Sequence, residues 1–195
     1  MLARGKLIVA VVVLAIAGGT GYYLFAAKQK KEQQRRVAEL VADTTANLRK
    51  ALTAPPAAEL VAHIDGNLKL AKAPRDPMLA GAAEEYIHGA REIVRRRAHS
   101  MHMSAAAGRD TYWIRVATDL KKRVERDHFE LELSLKALST LLFTLPESQK
   151  RLEPHVGAAL LLEESERRAA RERAEETAKR AHEELEKVRR LALPR

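Results

Sequence analysis

Leu120 to Leu145 reads LKKRVERDHFELELSLKALSTLLFTL. Leu120, Val124, His128, Leu131, Leu135, Leu138, Leu142 and Leu145 recur in it at intervals of three and four. A period of 3.6 brings such positions onto one face, so the stretch predicts a helix with a long apolar seam. The pattern starts upstream at Trp113 and Ala117. Pro146 is expected to end it, because proline removes a donor and crowds the preceding turn. More than four heptads of such spacing mark a helix with a sustained partner. Leu120, Val124, Leu131, Leu135, Leu138 and Leu142 are therefore the candidate oligomer seam, and self-association is expected. His128 reads as a polar notch that fixes register.

Working outward, Asp76-Pro77 is a helix start: an acceptor side chain at the cap, then a residue with preset φ. From there Leu79, Ala82, Ala83, Tyr86, Ala90, Ile93, Val94 and Met101 predict a helix from 77 to about 105. Gly108 is expected to break it, with Asp110 or Thr111 capping the next. Two helices of similar length with a short connection form an antiparallel hairpin. Before it, Leu60, Val61, Ile64 and Leu68 predict a short helix over 57–72, set off by Pro55-Pro56, Pro74 and Pro77. Val37, Leu40, Val41, Thr44, Leu48, Ala51 and Leu52 predict another over 28–53.

After Pro154 comes a fifth helix, where Glu precedes Arg or Lys by four positions six times. The pairs are Glu163–Arg167, Glu164–Arg168, Glu175–Lys179, Glu176–Arg180, Glu183–Lys187 and Glu186–Arg190, each supporting an isolated helix by about 0.2–0.5 kcal/mol. Its apolar seam is narrow: Ala170, Ala174, Thr177, Ala181, Leu185 and Val188. Such a helix either projects or offers half of a coiled coil, so Ala170, Ala174, Ala181, Leu185 and Val188 are the candidate partner-binding face. The reading is all-α throughout: an anchor at 1–27, an amphipathic helix at 28–53, a short helix with Pro-rich linkers at 54–76, a long hairpin at 77–153 and a charged helix at 154–195.

The anchor is LIVAVVVLAIAGGTGYYLFAA, Leu7 to Ala27, 21 residues without a charge. At 1.5 Å per residue it is about 31 Å long, enough for a hydrocarbon core of about 30 Å. A cleaved signal peptide is the competing reading, with Ala15-Ile16-Ala17 as the cleavage signal. The anchor is preferred because apolar sequence continues ten residues past Ala17. Arg4 and Lys6 precede the segment; Lys28, Lys30, Lys31, Arg35 and Arg36 follow it. That balance favours a main body on the cytoplasmic side of an inner membrane.

The net charge of +9 does not argue for nucleic acid. Two-thirds of the excess lies in the first 53 residues, beside the apolar segment, and residues 163–195 hold ten basic and nine acidic groups. Aromatics are 4%, too few to interleave a basic stripe with stacking platforms. With no cysteine, disulfides, thiol catalysis and thiolate-held metals are excluded.

Two Glu-x-x-His pairs, Glu85–His88 and Glu125–His128, have the spacing used by carboxylate di-metal bundles. Those sites need a further Glu from each of two other helices, and only Glu59 is on offer. Composition alone yields about 0.7 such pairs, so two carry little weight. His99, Met101, His102 and Met103 hold soft ligands suited to Cu(I), but Arg95, Arg96 and Arg97 repel a cation. On this reading Met101 belongs to the core and His99, His102 and Met103 face water. No nucleophile elbow, P-loop, dinucleotide turn or H-E-x-x-H occurs, and no cofactor is implied. The expected function is thus a membrane-anchored helical scaffold or adaptor acting through helix–helix contacts with protein partners, without catalysis. The alternative is a membrane-proximal sensor domain that binds a small ligand or metal.

Overall fold

The computed structural model describes the backbone of residues 2–56, 58–111 and 118–191, and the side chains of 24–56, 59–109 and 120–191. The described residues form five α-helices: α1 (Leu2–Thr53), α2 (Ala58–Ala71), α3 (Pro77–Thr111), α4 (Thr118–Val156) and α5 (Glu164–Arg190), with a 3₁₀ turn at Ala158–Leu160. There is no strand among them. The chain is an all-α bundle.

Local chemistry sets several of the ends. The Asp76 carboxylate accepts from the backbone N–H of Met78 at 3.0 Å and of Leu79 at 3.3 Å, which caps α3 as the Asp-Pro pair predicts. Pro55 and Pro56 stand between α1 and α2. Gly157, at φ +85°, terminates α4 in a conformation that disfavours any side chain. Glu163 and Glu166 close a capping box at the start of α5.

Two boundaries differ from the sequence expectation. Pro146 does not end α4; the helix continues through it, and through Pro154, to Val156. The lost backbone bond is outweighed by what the extra turns bury, since Ser148, Gln149 and Leu152 all lie in the interior. Gly108 does not break α3, which runs on to Thr111. The expected start of the fourth helix at Trp113 lies outside the described residues.

α3 and α4 make the middle of the bundle, with α1 and α2 packed mainly on α3 and α5 on α4. Both central pairings are antiparallel. In α3–α4, Glu85 meets Arg151 at 2.9 Å and Ser134 Oγ donates to the Arg96 carbonyl at 3.4 Å. Gly89 sits so close to α4 that a Cβ there would lie 3.2 Å from Leu145 Cδ1. In α4–α5, Ser139 meets Glu175 at 2.7 Å and Glu132 meets His182 at 3.1 Å. Lys121 Nζ donates to the Arg189 and Leu191 carbonyls at 3.1 and 2.8 Å, a cation on the open carbonyls at the end of α5.

The main core is a continuous cluster drawn from all five helices, from Val37 and Leu48 through Ile64, Tyr86 and Ile93 to Leu135, Leu142, Leu152 and Ala174. α1 enters it only from Val37 onward, while the described side chains from Leu24 to Arg36 are exposed or half-buried. The buried face of α3 ends on Ser100, Met103 and Ala107. Met103, not Met101, is therefore the core methionine. Steps of three and four from Ile93 and Ser100 lead to Met103, and Met101 falls half-buried at the edge.

Candidate interaction surfaces and ligand groove

The seam of α4 is occupied within the chain. Val124, Leu131, Leu135, Leu138 and Leu142 are buried against the other helices of the same molecule, and Leu120 is half-buried at the seam's end. The face of α5 expected to meet another protein is covered likewise: Ala170, Ala174, Ala181, Leu185 and Val188 are buried, chiefly against α4. Ala178 completes that face, and Thr177 is exposed. Two surfaces expected to look outward to other chains thus form one internal interface.

Only some of the α5 ion pairs follow the simple spacing. Glu164–Arg168 closes at 2.9 Å, and Glu176 pairs with Arg180. Glu175 instead takes Arg171 at 2.7 Å, and Lys187 and Arg189 reach back three residues to Glu184 and Glu186. Arg167 turns inward to the Leu162 carbonyl at 3.2 Å and to Gln149. Glu166 binds Arg49 of α1 at 2.9 Å. Burial pushes the Glu166 carboxyl up, but Arg49 and the Glu163 backbone N–H outweigh it and hold the group below the usual carboxylate range. These contacts pin the connector between α4 and α5 to α1.

The metal candidates do not converge. Among the described residues no three His, Asp or Glu side chains gather at one point. Glu85 is exposed and paired with Arg151, and His88, His99 and His102 face solvent on α3. Glu125 lies 3.9 Å from Lys121, and Met103 is in the core. His128 is buried, and among the described residues neither ring nitrogen has a hydrogen-bond partner.

What single-helix spacing does not show is a polar knot between α1 and α2. Asp43 accepts from His63 Nε2 and from Asn67 Nδ2, both at 2.6 Å, and Asn67 also donates to Thr44 Oγ1 at 3.1 Å. Burial raises the Asp43 carboxyl, and the bonds from Asn67 and His63 more than reverse this, leaving it below its ordinary value. His63 and Asn67 are one turn apart and so share a face, but only the fold supplies Asp43 opposite them. The knot closes one end of a groove of about 630 Å³, with Val37, Leu40, Leu70 and Pro74 as apolar walls and Arg36 and Arg75 farther along. That is within the usual size of a small-molecule cleft.

The chain matches no family model, no curated protein and no solved structure.

The outer surface carries few large apolar groups. Phe129, Leu133 and Phe143 stand exposed on α4, with the Arg171 guanidinium 5.2 Å from the Phe143 ring centre. Leu24 and Phe25 are exposed on α1, at the end of the apolar N-terminal segment. Among the described residues no helix is long and apolar enough to cross a membrane. Residues 7–23 of Leu7–Ala27 lie outside the described side chains, as do Arg4 and Lys6.

Proposed function

We propose that the protein is a membrane-anchored helical scaffold, held by Leu7–Ala27, that works through protein contacts on its outer helical surface. The observation that carries this reading is the continuity of α1 from Leu2 to Thr53. The apolar segment and the core-forming residues are on one helix, so a bilayer holding the first would hold the bundle at a set height. From Ala27 to Val37, the first buried residue among the described side chains, the rise is about 15 Å. Lys28, Lys30, Lys31, Arg35 and Arg36 occupy this stalk, where cations suit an anionic inner-membrane surface. Arg35 and Arg36 are each partly offset by an acid one turn away, Glu39 at 3.0 Å and Glu32 at 2.8 Å. With the α4 seam and the α5 face used internally, the exposed Phe129, Leu133 and Phe143 are the better docking positions for a partner helix.

The test is membrane fractionation of the full chain with an alkaline carbonate wash. The chain is expected to stay with the membrane and to become wash-soluble when residues 1–27 are deleted. A full-length chain that leaves the membrane with the wash, or a shortened chain that stays with the washed membrane, sinks the anchor. Reporter fusions at the C-terminus settle which side the bundle faces, and the cytoplasmic side is expected.

A second reading, a small-ligand sensor, is favoured by the α1–α2 groove rather than by the hairpin residues. Apolar walls between the Asp43–His63–Asn67 knot and the two arginines suit a compact amphiphile bearing a carboxylate. Screening such acids by thermal shift is expected to give a rise in melting midpoint that Leu40→Trp, which fills the groove, abolishes. A shift that survives Leu40→Trp, or no shift across the panel, removes this reading.

A further inference from the structure

The two halves of α5 are held by different chemistry. The first half is tied by charge and hydrogen bonds: Glu166 to Arg49, Arg167 to Gln149 and the Leu162 carbonyl, Arg171 over Phe143, Glu175 to Ser139. The second half lays Ala178, Ala181, Leu185 and Val188 against α4. Its polar ties are His182 to Glu132 and Lys121 to the last carbonyls. Between those two ties α4 contributes a buried stretch that is polar: Asp127 and His128, with Glu132 one turn on. His128 is only 7% exposed, and neither Nδ1 nor Nε2 has a partner among the described residues.

We propose that the second half of α5, from Ala178 to Arg190, is a strap released when the buried His128 side chain takes up a proton. A neutral imidazole is held there at the expense of one unmet donor. Protonation makes both ring nitrogens donors and adds a charge with nothing to receive it, which a packed helix interface does not tolerate. The acids near enough to favour the charged form are Asp127 on its own helix and Glu184 on α5. Asp127 is 3.5 Å from Arg126, and Glu184 is engaged by Lys187. Farther along α4, Glu125 lies 3.9 Å from Lys121. Glu132 is shared by Lys136 at 2.5 Å and His182 at 3.1 Å. From α3 the buried side chains at this end of the pairing are Ser100, Met103 and Ala107, none charged, while His99 and His102 are exposed. Burial outweighs the acids and keeps the His128 imidazole below its ordinary value.

The sign follows from linkage. A histidine whose folded value lies below its unfolded value binds fewer protons when folded. The closed state therefore has full stability above the unfolded value, about 6.5, and loses it as pH falls from there. His182, the other histidine at this interface, is exposed and in contact with Glu132. The two histidines are therefore separable by mutation. Release would bare Leu185 and Val188 on α5 and Val124 and Leu131 on α4.

Hydrogen exchange of the full chain in detergent micelles, read by mass spectrometry at pH 7.5 and 5.5, tests the strap. After correction for intrinsic rates, peptides within 178–191 are expected to lose protection severalfold, up to about tenfold, at pH 5.5, while those within 164–175 keep theirs. His128→Leu is expected to abolish the difference, and His182→Gln to retain it. Equal protection of 178–191 at both pH values, or the same loss in His128→Leu, overturns the proposal. Independently of any variant, the imidazole of His128 in the unaltered chain, followed by NMR, must titrate below about 6.5; titration at or above that also overturns it.

Discussion

Removing residues 164–195 is expected to lower the melting midpoint of the remaining helices by roughly 10–20 °C. On α5, Leu185 and Val188 are fully buried, at about 1.5–3 kcal/mol each, and Ala170, Ala174, Ala178 and Ala181 add about 0.8 kcal/mol apiece. The α4 residues beneath them lose their cover at the same stroke, Val124 among them, which forms a small cluster of its own with Val188. At least about 5 kcal/mol is at stake against a total of about 5–15, and each kcal/mol moves the midpoint of a chain this long by about 2–4 °C. The surface left bare is large and apolar enough to promote association as well. Circular dichroism melts of the full and shortened chains in the same detergent measure the effect. The seam taken by itself suggested the opposite, a tail removable without harm to the hairpin. An unchanged midpoint would restore that view and mean that α5 contributes nothing to the stability of the rest.

That reversal shows where periodicity stops being informative. The spacing of Leu120 to Leu145 and of Ala170 to Val188 identifies two faces that must be covered. It says nothing about what covers them, because an intramolecular partner and an intermolecular one present the same pattern to a single helix. The narrow Ala-rich face of α5 reads as weak when taken by itself, but small side chains allow it to lie close along α4. End signals fared by mechanism. Asp76-Pro77 acts through its own turn and is legible locally. Pro146 is a local penalty that long-range burial of Leu152 overrides, which no window around the proline reveals. Met101 and Met103 differ only in the drift of a 3.6-residue period over three turns, an error that accumulates with distance from the last firmly placed residue. Nothing in the spacing of α2 hints at Asp43, because that carboxylate is supplied by a different helix.

Tyr86→Ala is expected to cost about 3–5 kcal/mol, or about 6–20 °C in melting midpoint, and Tyr86→Phe only about 1 kcal/mol. Tyr86 is fully buried on α3. The hydroxyl of Thr45 has one hydrogen and gives it to the Val41 carbonyl at 2.8 Å, so in the 2.7 Å contact between the two hydroxyls Tyr86 is the donor. Thr45 thus spends its donor inside α1 and its acceptor on α3. Burial pushes the phenol's ionisation up, against Thr45, Arg49 and the Leu162 backbone N–H, so the group stays neutral and able to donate. The ring fills the space between α1 and α3, and the oxygen ties both to the connector that precedes α5. Phenylalanine keeps the ring and forfeits the hydroxyl's bonds to Thr45 and the Leu162 backbone N–H, leaving the Thr45 oxygen still engaged through its own hydrogen. Alanine opens a cavity at the junction of α1, α3 and the connector before α5. The ratio of the two effects is the informative quantity. If denaturant unfolding finds Tyr86→Phe nearly as damaging as Tyr86→Ala, the hydroxyl network and not the packing of the ring joins α1 to the bundle. The attachment of the stalk would then depend on Thr45 as much as on Tyr86, and Thr45→Val should reproduce the loss.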